Sequence, residues 1–239
     1  MKFCRNLILV LSTFVGIRAH IDLKSLPWID GHDGDELTWV KTFLPENPVI
    51  LEAGACGGED TVNFPKVWPE CTVHAFEPVP AFFETLKKSV HNLSNVHLYN
   101  FGLFTKTGEY KFYLCQGQTP GGASSLFPSA GMPECQYDER PISIFCKNLD
   151  EWAQEYMVDH IDYMWLDMEG AEYYVLSSAP RMLKTVRVIT CELNFREFRK
   201  KMTQFEDLYN FLTKEGFVLY KIWGSPTWQA VGIFIRQTF

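Results

Sequence analysis

The residues of this chain best placed to do chemistry are acids that close short apolar runs. Val49-Ile50-Leu51 leads into Glu52 and then a loop holding Gly54, Gly57 and Gly58, and a second run ends at Glu77-Pro78, about 20 residues beyond Gly58. A glycine-rich turn laid against a ligand, followed by an acid for ribose hydroxyls at the next strand end, is how an open α/β sheet presents a nucleoside site. The dinucleotide fingerprint G-x-G-x-x-G is broken, because Cys56 holds its third position and the pyrophosphate cradle is incomplete. Farther on, Asp167-Met168-Glu169-Gly170 follows the run Ile161 to Leu166. Asp167 or Glu169 could face a cationic ammonium or take the proton of an acceptor hydroxyl. Acids at this place also stabilise a following helix through its free N–H groups, the better reading for Glu172. Glu192 ends a further apolar run and is a weaker pocket candidate.

These residues need a scaffold that brings strand ends together. Periodicity predicts strands at Val49–Leu51, Thr72–Phe76, Val96–Tyr99, Ile161–Leu166 and Val186–Leu193, with helices between them over Gly58–Val67, Val79–Val90, Leu149–Tyr156 and onward from Gly170. Pro65 is expected to kink or stop the first of these helices. Asp30–Asp35 reads as a turn and Glu36–Leu44 as a short helix. Tyr110–Leu114 and Ile142–Cys146 read as additional strands around a Gly/Ser/Pro-rich loop, Gln116–Pro141, long enough to be a lid or binding loop. A helix at Phe205–Glu215 precedes two strands, Phe217–Ile222 and Gln229–Arg236, that form an antiparallel hairpin at the sheet edge. Strand–helix alternation implies a parallel sheet with right-handed crossovers.

The 239 residues suit one α/β domain. A net charge of -7 argues against a nucleic-acid backbone as the main partner, and Arg196, Arg199, Lys200 and Lys201 read as a solvated helix face or a local anion contact. Lys2 and Arg5 precede the apolar run Leu7–Ile17, so residues 1–19 resemble a secretory signal or a short membrane anchor. Residues 20–47 read as a helical extension and 48–239 as the main domain. Seven cysteines show neither CxxC nor Cys/His ligand spacing, which disfavours structural zinc, and Cys191 reads as a small buried hydrophobe. His74, inside a strand, reads as structural. Two acids, Asp167 and Glu169, are too few to assign a metal.

The segments NLDEW (Asn148–Trp152) and IDYMWLDMEGAEYYVL (Ile161–Leu176) resemble the FkbM family of methyltransferases. Leu149, Asp150, Trp152, Ile161, Asp162, Asp167, Glu169, Gly170, Glu172, Val175 and Leu176 fit its pattern, as do Gly54-Ala55, Glu77-Pro78 and Ser124-Ser125-Leu126. Trp165 stands where that family commonly has lysine. The resemblance implies a class I, Rossmann-like, seven-stranded mostly parallel sheet with helices on both faces. It implies S-adenosylmethionine as cofactor and O-methylation of a hydroxyl on a sugar, lipid-linked or natural-product acceptor. Glu77 would then accept ribose hydroxyls, with Pro78 beside it. Gly54, Ala55 and Gly58 would form the loop against the nucleoside, and Glu52 would anchor that loop or face the cationic end of the cofactor. The alternative is a catalytically degenerate member that uses the pocket for binding, a reading motivated by the signal-like start.

Overall fold

The computed structural model describes residues 21–29, 36–116, 122–131, 136–137 and 140–238. The signal-like segment, the Asp30–Asp35 turn and part of the long loop lie outside the described residues. The order is α1 (Glu36–Lys41), β1 (Val49–Ala53), α2 (Phe64–Val67), β2 (Thr72–Phe76), α3 (Pro80–Ser89), β3 (Val96–Tyr99), β4 (Gly102–Leu103), β5 (Gly108–Phe112), β6 (Cys115–Gln116), β7 (Gln136–Tyr137), β8 (Ile142–Lys147), α4 (Leu149–Glu155), β9 (Tyr163–Leu166), α5 (Glu172–Ser177), α6 (Pro180–Leu183), β10 (Val188–Asn194), α7 (Phe205–Lys214), β11 (Phe217–Gly224) and β12 (Gln229–Arg236).

Seven strands form one sheet in the order β11-β12-β10-β9-β1-β2-β3. β3, β2, β1, β9 and β10 run parallel, and β12 is antiparallel to both β10 and β11. The expected hairpin is therefore present, with its second strand joined to β10. Side chains alternate across the sheet, so Leu51, Ala53, Met164 and Leu166 face the core under α4, α5, α6 and α7, whereas Ile50, Tyr163 and Val188 face the core under α2 and α3.

The register decides what the strand ends share. Ala53 pairs with Phe76 on one side and Leu166 on the other, and Leu166 pairs with Cys191. The next residue of each strand therefore falls in one row: Gly54, Glu77, Asp167 and Glu192. That row lies at the carboxyl ends of parallel strands, where open α/β sheets place their ligands.

Three local expectations are corrected. The helix read over Gly58–Val67 is a run of turns followed by the single turn α2, because Gly58 bonds back to the Ala55 carbonyl and Asn63 to that of Asp60. Pro65 sits in the first turn of α2, where its missing N–H costs no helical bond, so it helps start the helix it was expected to end. Arg196–Lys201 is not a helix face; the segment crosses beneath the long loop through backbone bonds from Lys200 to Pro128 and from Ala130 to Phe198.

Between β3 and β9, strands β4, β8 and β5 form a small separate sheet. Its apolar side, with Phe112, Ile144 and Cys146, packs on Val79 and Phe82 of the segment after β2 and walls one end of the strand-end cleft.

Candidate active site

Gly54 opens the loop after β1 with φ +93°, and a Cβ there would stand 1.8 Å from the Asp167 carbonyl oxygen. The loops after β1 and β9 thus touch backbone to backbone, a contact only glycine permits. At Gly58 a Cβ would meet Leu86 Cδ1 at 2.8 Å. The crowding expected against a nucleoside is met inside the protein at both positions.

Gly54 still lines the cleft, together with Glu77, Pro78, Asp167 and Glu169. Glu52, Ala55 and Gly58 do not line it. Glu52 is buried behind the loop, where the Thr61 hydroxyl donates to its Oε2 at 2.5 Å. Burial pushes the Glu52 carboxyl up to about 8, so it carries a proton at neutral pH and anchors the loop as a neutral acid.

Glu77 is 5% exposed. Its Oε2 accepts from the Cys56 N–H at 3.0 Å and its Oε1 from the Val79 N–H at 2.7 Å. Those two bonds fix the carboxylate and leave lone pairs of both oxygens for a ligand. Burial raises its pKa to about 7, with the backbone bonds opposing the rise. Beside it, Phe76, Val79, Phe82, Leu103 and Phe112 form an apolar wall. An acid next to such a wall suits a ribose and its attached base.

At the other end of the row the Asp167–Gly170 turn is strained and heavily braced. Glu169 has φ +53°, unusual for a residue with a side chain. Its carbonyl accepts from Ser125 Oγ at 2.9 Å, and the Gly170 carbonyl accepts from both the N–H and the hydroxyl of Thr203, at 2.8 and 2.6 Å. Glu172, fully buried, accepts from the Met168 N–H at 3.0 Å, so it holds the turn before its helix.

The turn delivers two acids to the cleft, and the sheet adds a third. Carboxylate oxygens of Asp167, Glu169 and Glu192 lie within 4.8 Å of one another. Arg199, with a side chain 3% exposed, closes the group: its guanidinium contacts Glu169 Oε2 at 2.6 Å and the Ala123 carbonyl at 2.9 Å. Burial pushes all three acids upward, and Arg199 restrains the rise. Glu192, its pKa raised by burial and its acidic neighbours, accepts from Gln229 Nε2. Asp167 is the exposed acid of the three and opens onto the cleft, where water offsets part of its desolvation; at about 6 it is ionised at neutral pH.

Arg199 is the functional residue that sequence reasoning missed. Its run of basic residues did suggest a local anion contact, but nothing in the spacing distinguishes the buried Arg199 from the exposed Arg196 and Lys200. Other residues of the family pattern prove structural. Asp150 accepts from the N–H groups of Arg181 and Met182, and Asp162 accepts from the Val49 N–H and pairs with Arg187. His74 is buried neutral against Tyr99, as expected, and the cysteines at 56, 71, 146 and 191 are free thiols. No helix among the described residues is long and apolar enough to cross a membrane.

A parallel sheet ordered β3-β2-β1-β9-β10 with an antiparallel pair at its edge, an acid after β2 and a braced acidic turn after β9 define a class I, Rossmann-like methyltransferase architecture. The family described as the Methyltransferase FkbM domain matches residues 52–219, and the chain belongs to it. It is similar to the 2-O-methyltransferase NoeI of Sinorhizobium fredii, with 27% identity over 63% of this chain and 65% of NoeI. It is also similar to Methyltransferase 1 of Beauveria bassiana, with 26% identity over 56% of this chain and 59% of that protein. The chain thus aligns with somewhat under two thirds of each relative. A Streptococcus mutans protein solved in complex with SAH shares the fold, at 12% identity and a TM-score of 0.50, covering 86% of this chain and 99% of that one. The family implies S-adenosylmethionine as cofactor, and the cleft fits it: Glu77 and the apolar wall would hold the nucleoside, and the acids of the Asp167 turn would face the cationic end.

Proposed function

We propose that this chain transfers a methyl group from S-adenosylmethionine to a hydroxyl oxygen of a small acceptor. The observation that supports it best is the single row of Glu77 and Asp167, one carboxylate fixed by two backbone N–H groups and the other open to the cleft. When bound, the cofactor supplies an electrophilic methyl on a sulfonium. Glu77 accepts the ribose hydroxyls, and the apolar wall beside it excludes water from the base. Asp167, ionised at neutral pH, accepts the proton that the acceptor hydroxyl gives up and orients that oxygen. Glu169, its charge offset by Arg199, presents a carboxyl oxygen to the cationic part of the cofactor. Arg199 also donates to the Ala123 carbonyl and so ties the long loop to the acids.

Calorimetric titration with S-adenosylhomocysteine, beside a methyl-transfer assay on a library of hydroxylated acceptors, tests the reading. Asp167→Asn is expected to keep product affinity within a few-fold and to lose on the order of 100-fold or more in transfer rate. No binding by the native chain would refute the cofactor assignment. Binding without transfer to any acceptor would leave a ligand-binding member of the family, and full activity in Asp167→Asn would remove Asp167 as the base.

A further inference from the structure

On the face of the sheet under α1 and α2 lies a second cavity of about 240 Å³, bounded by Glu36, Asp60, Asn63, Phe64, Lys66 and Trp165. It is several times the roughly 30 Å³ that one water takes in the liquid, so it can hold a small organic group. Its chemistry is unlike that of the cofactor cleft. Asp60 is half-buried, yet its carboxylate accepts no hydrogen bond and joins no ion pair among the described residues. Glu36 and Glu59 stand near enough to raise its pKa further after burial has done so, which means that Asp60 sits in a negative potential. Lys66 is the cation on the rim; it is exposed, and its ammonium donates to Asn63 Oδ1 at 2.9 Å. The remaining wall is the half-buried indole of Trp165, steadied by Phe64 at a ring distance of 6.0 Å.

Two carboxylates and an indole around a space of this size are the elements that bind an organic cation, which gains both charge attraction and the aromatic quadrupole. The position matters as much as the composition. Trp165 lies two residues before Asp167 on the same side of β9, roughly 7 Å along the strand. Asp60 is also close enough for its charge to raise the pKa of Asp167. The cavity and the candidate base thus meet at Trp165, which lines the first and stands two residues from the second.

We propose that this cavity is an ammonium subsite: the acceptor carries an alkylammonium group that sits between Asp60, Glu36 and Trp165 while its hydroxyl meets Asp167. The assignment rests on the reading of Asp167 as the acceptor-facing base. It makes the substrate class a cationic alcohol and Asp60 and Trp165 the residues that select it.

The test uses choline as probe and 3,3-dimethylbutan-1-ol as its neutral isostere, on protein saturated with S-adenosylhomocysteine so that the cofactor cleft is filled. Saturation-transfer NMR titrations are run on the native chain, Asp60→Asn and Trp165→Leu. Choline is expected to bind the native chain at least tenfold more tightly than the isostere, and to lose that margin in both variants. Equal affinity for the two probes, no choline binding to the native chain, or a margin unchanged in Asp60→Asn would overturn the subsite. Titration of all three proteins with S-adenosylhomocysteine separates the outcomes. Normal binding there with no choline preference removes only the subsite, whereas no binding by the native chain removes the cofactor reading. If Trp165→Leu fails to fold by circular dichroism, Asp60→Asn decides.

Discussion

Replacing Arg199 by methionine keeps most of the side chain's apolar bulk and removes the one guanidinium in contact with the acidic cluster among the described residues. In the native chain this group neutralises Glu169 at 2.6 Å in a site almost closed to water. Breaking a buried ion pair by deleting one partner costs about 3–5 kcal/mol, because the remaining charge is left unsolvated. Against a total stability of roughly 5–15 kcal/mol, that is a large share. Three acids whose oxygens lie within 4.8 Å of one another then face each other without a cation. The penalty should grow as pH rises, since burial already lifts these acids above their unfolded values and each proton lost adds charge to the cluster. The assay is urea unfolding of the native chain, Arg199→Met, Glu169→Gln and the double variant at pH 6 and pH 8. A coupling of about 1.5 kcal/mol or more between the two substitutions, larger at pH 8, is expected, with the double variant more stable than Arg199→Met alone. A cost below about 1 kcal/mol for Arg199→Met, or no coupling, would refute the account of this residue.

Glu77→Ala should weaken S-adenosylhomocysteine binding by about 10–100-fold, the worth of one or two hydrogen bonds to a charged acceptor, measured by calorimetry. Because the free Glu77 carboxyl titrates near 7 and ribose hydroxyls favour its ionised form, native affinity should fall as pH drops from 8 to 6, and Glu77→Gln should flatten that dependence. Glu52 has the opposite linkage to stability. Its folded pKa, about 8, lies above the ordinary carboxyl value of 4.5, so the folded state keeps a proton the unfolded chain loses and stability falls as pH rises through that window. Glu52→Gln should remove this slope in denaturation midpoints taken from pH 5 to pH 9. Gly54→Ala forces a Cβ to within 1.8 Å of a backbone oxygen at φ +93°, and should lower Tm by on the order of 10 °C or leave the chain insoluble.

Most of the scaffold was legible because it rests on local signals. The apolar runs at β1, β2, β3, β9 and β10 alternate or stay buried in ways a short window reveals, and the final hairpin was placed by its aromatic and β-branched strands. Glu77 and Asp167 were legible for the same reason: each follows directly on such a run, and the register brings them into line. What could not be read are pairings between remote segments. Nothing near Arg199 in the chain indicates Glu169 or the Ala123 carbonyl, thirty and more than seventy residues away. The glycines were correctly marked as necessary, but their neighbours, Asp167 and Leu86, belong to other elements, so the physical reason pointed to a ligand instead of to the protein itself. Pro65 was misjudged because its effect depends on whether the helix begins before or after it, and that is fixed by the turn at Gly58.

The touch between Gly54 and the Asp167 carbonyl also bears on how such a chain can change over generations. The loop after β1 and the acid-bearing loop after β9 occupy one shared volume, so neither can be swapped or lengthened without the other giving way. A chimera that takes the first loop from one relative and the second from another is expected to misfold, whereas exchanging both together should pass intact. New acceptor preferences are then most accessible in the small sheet, the long loop and the helical start, which border the clefts without entering that contact.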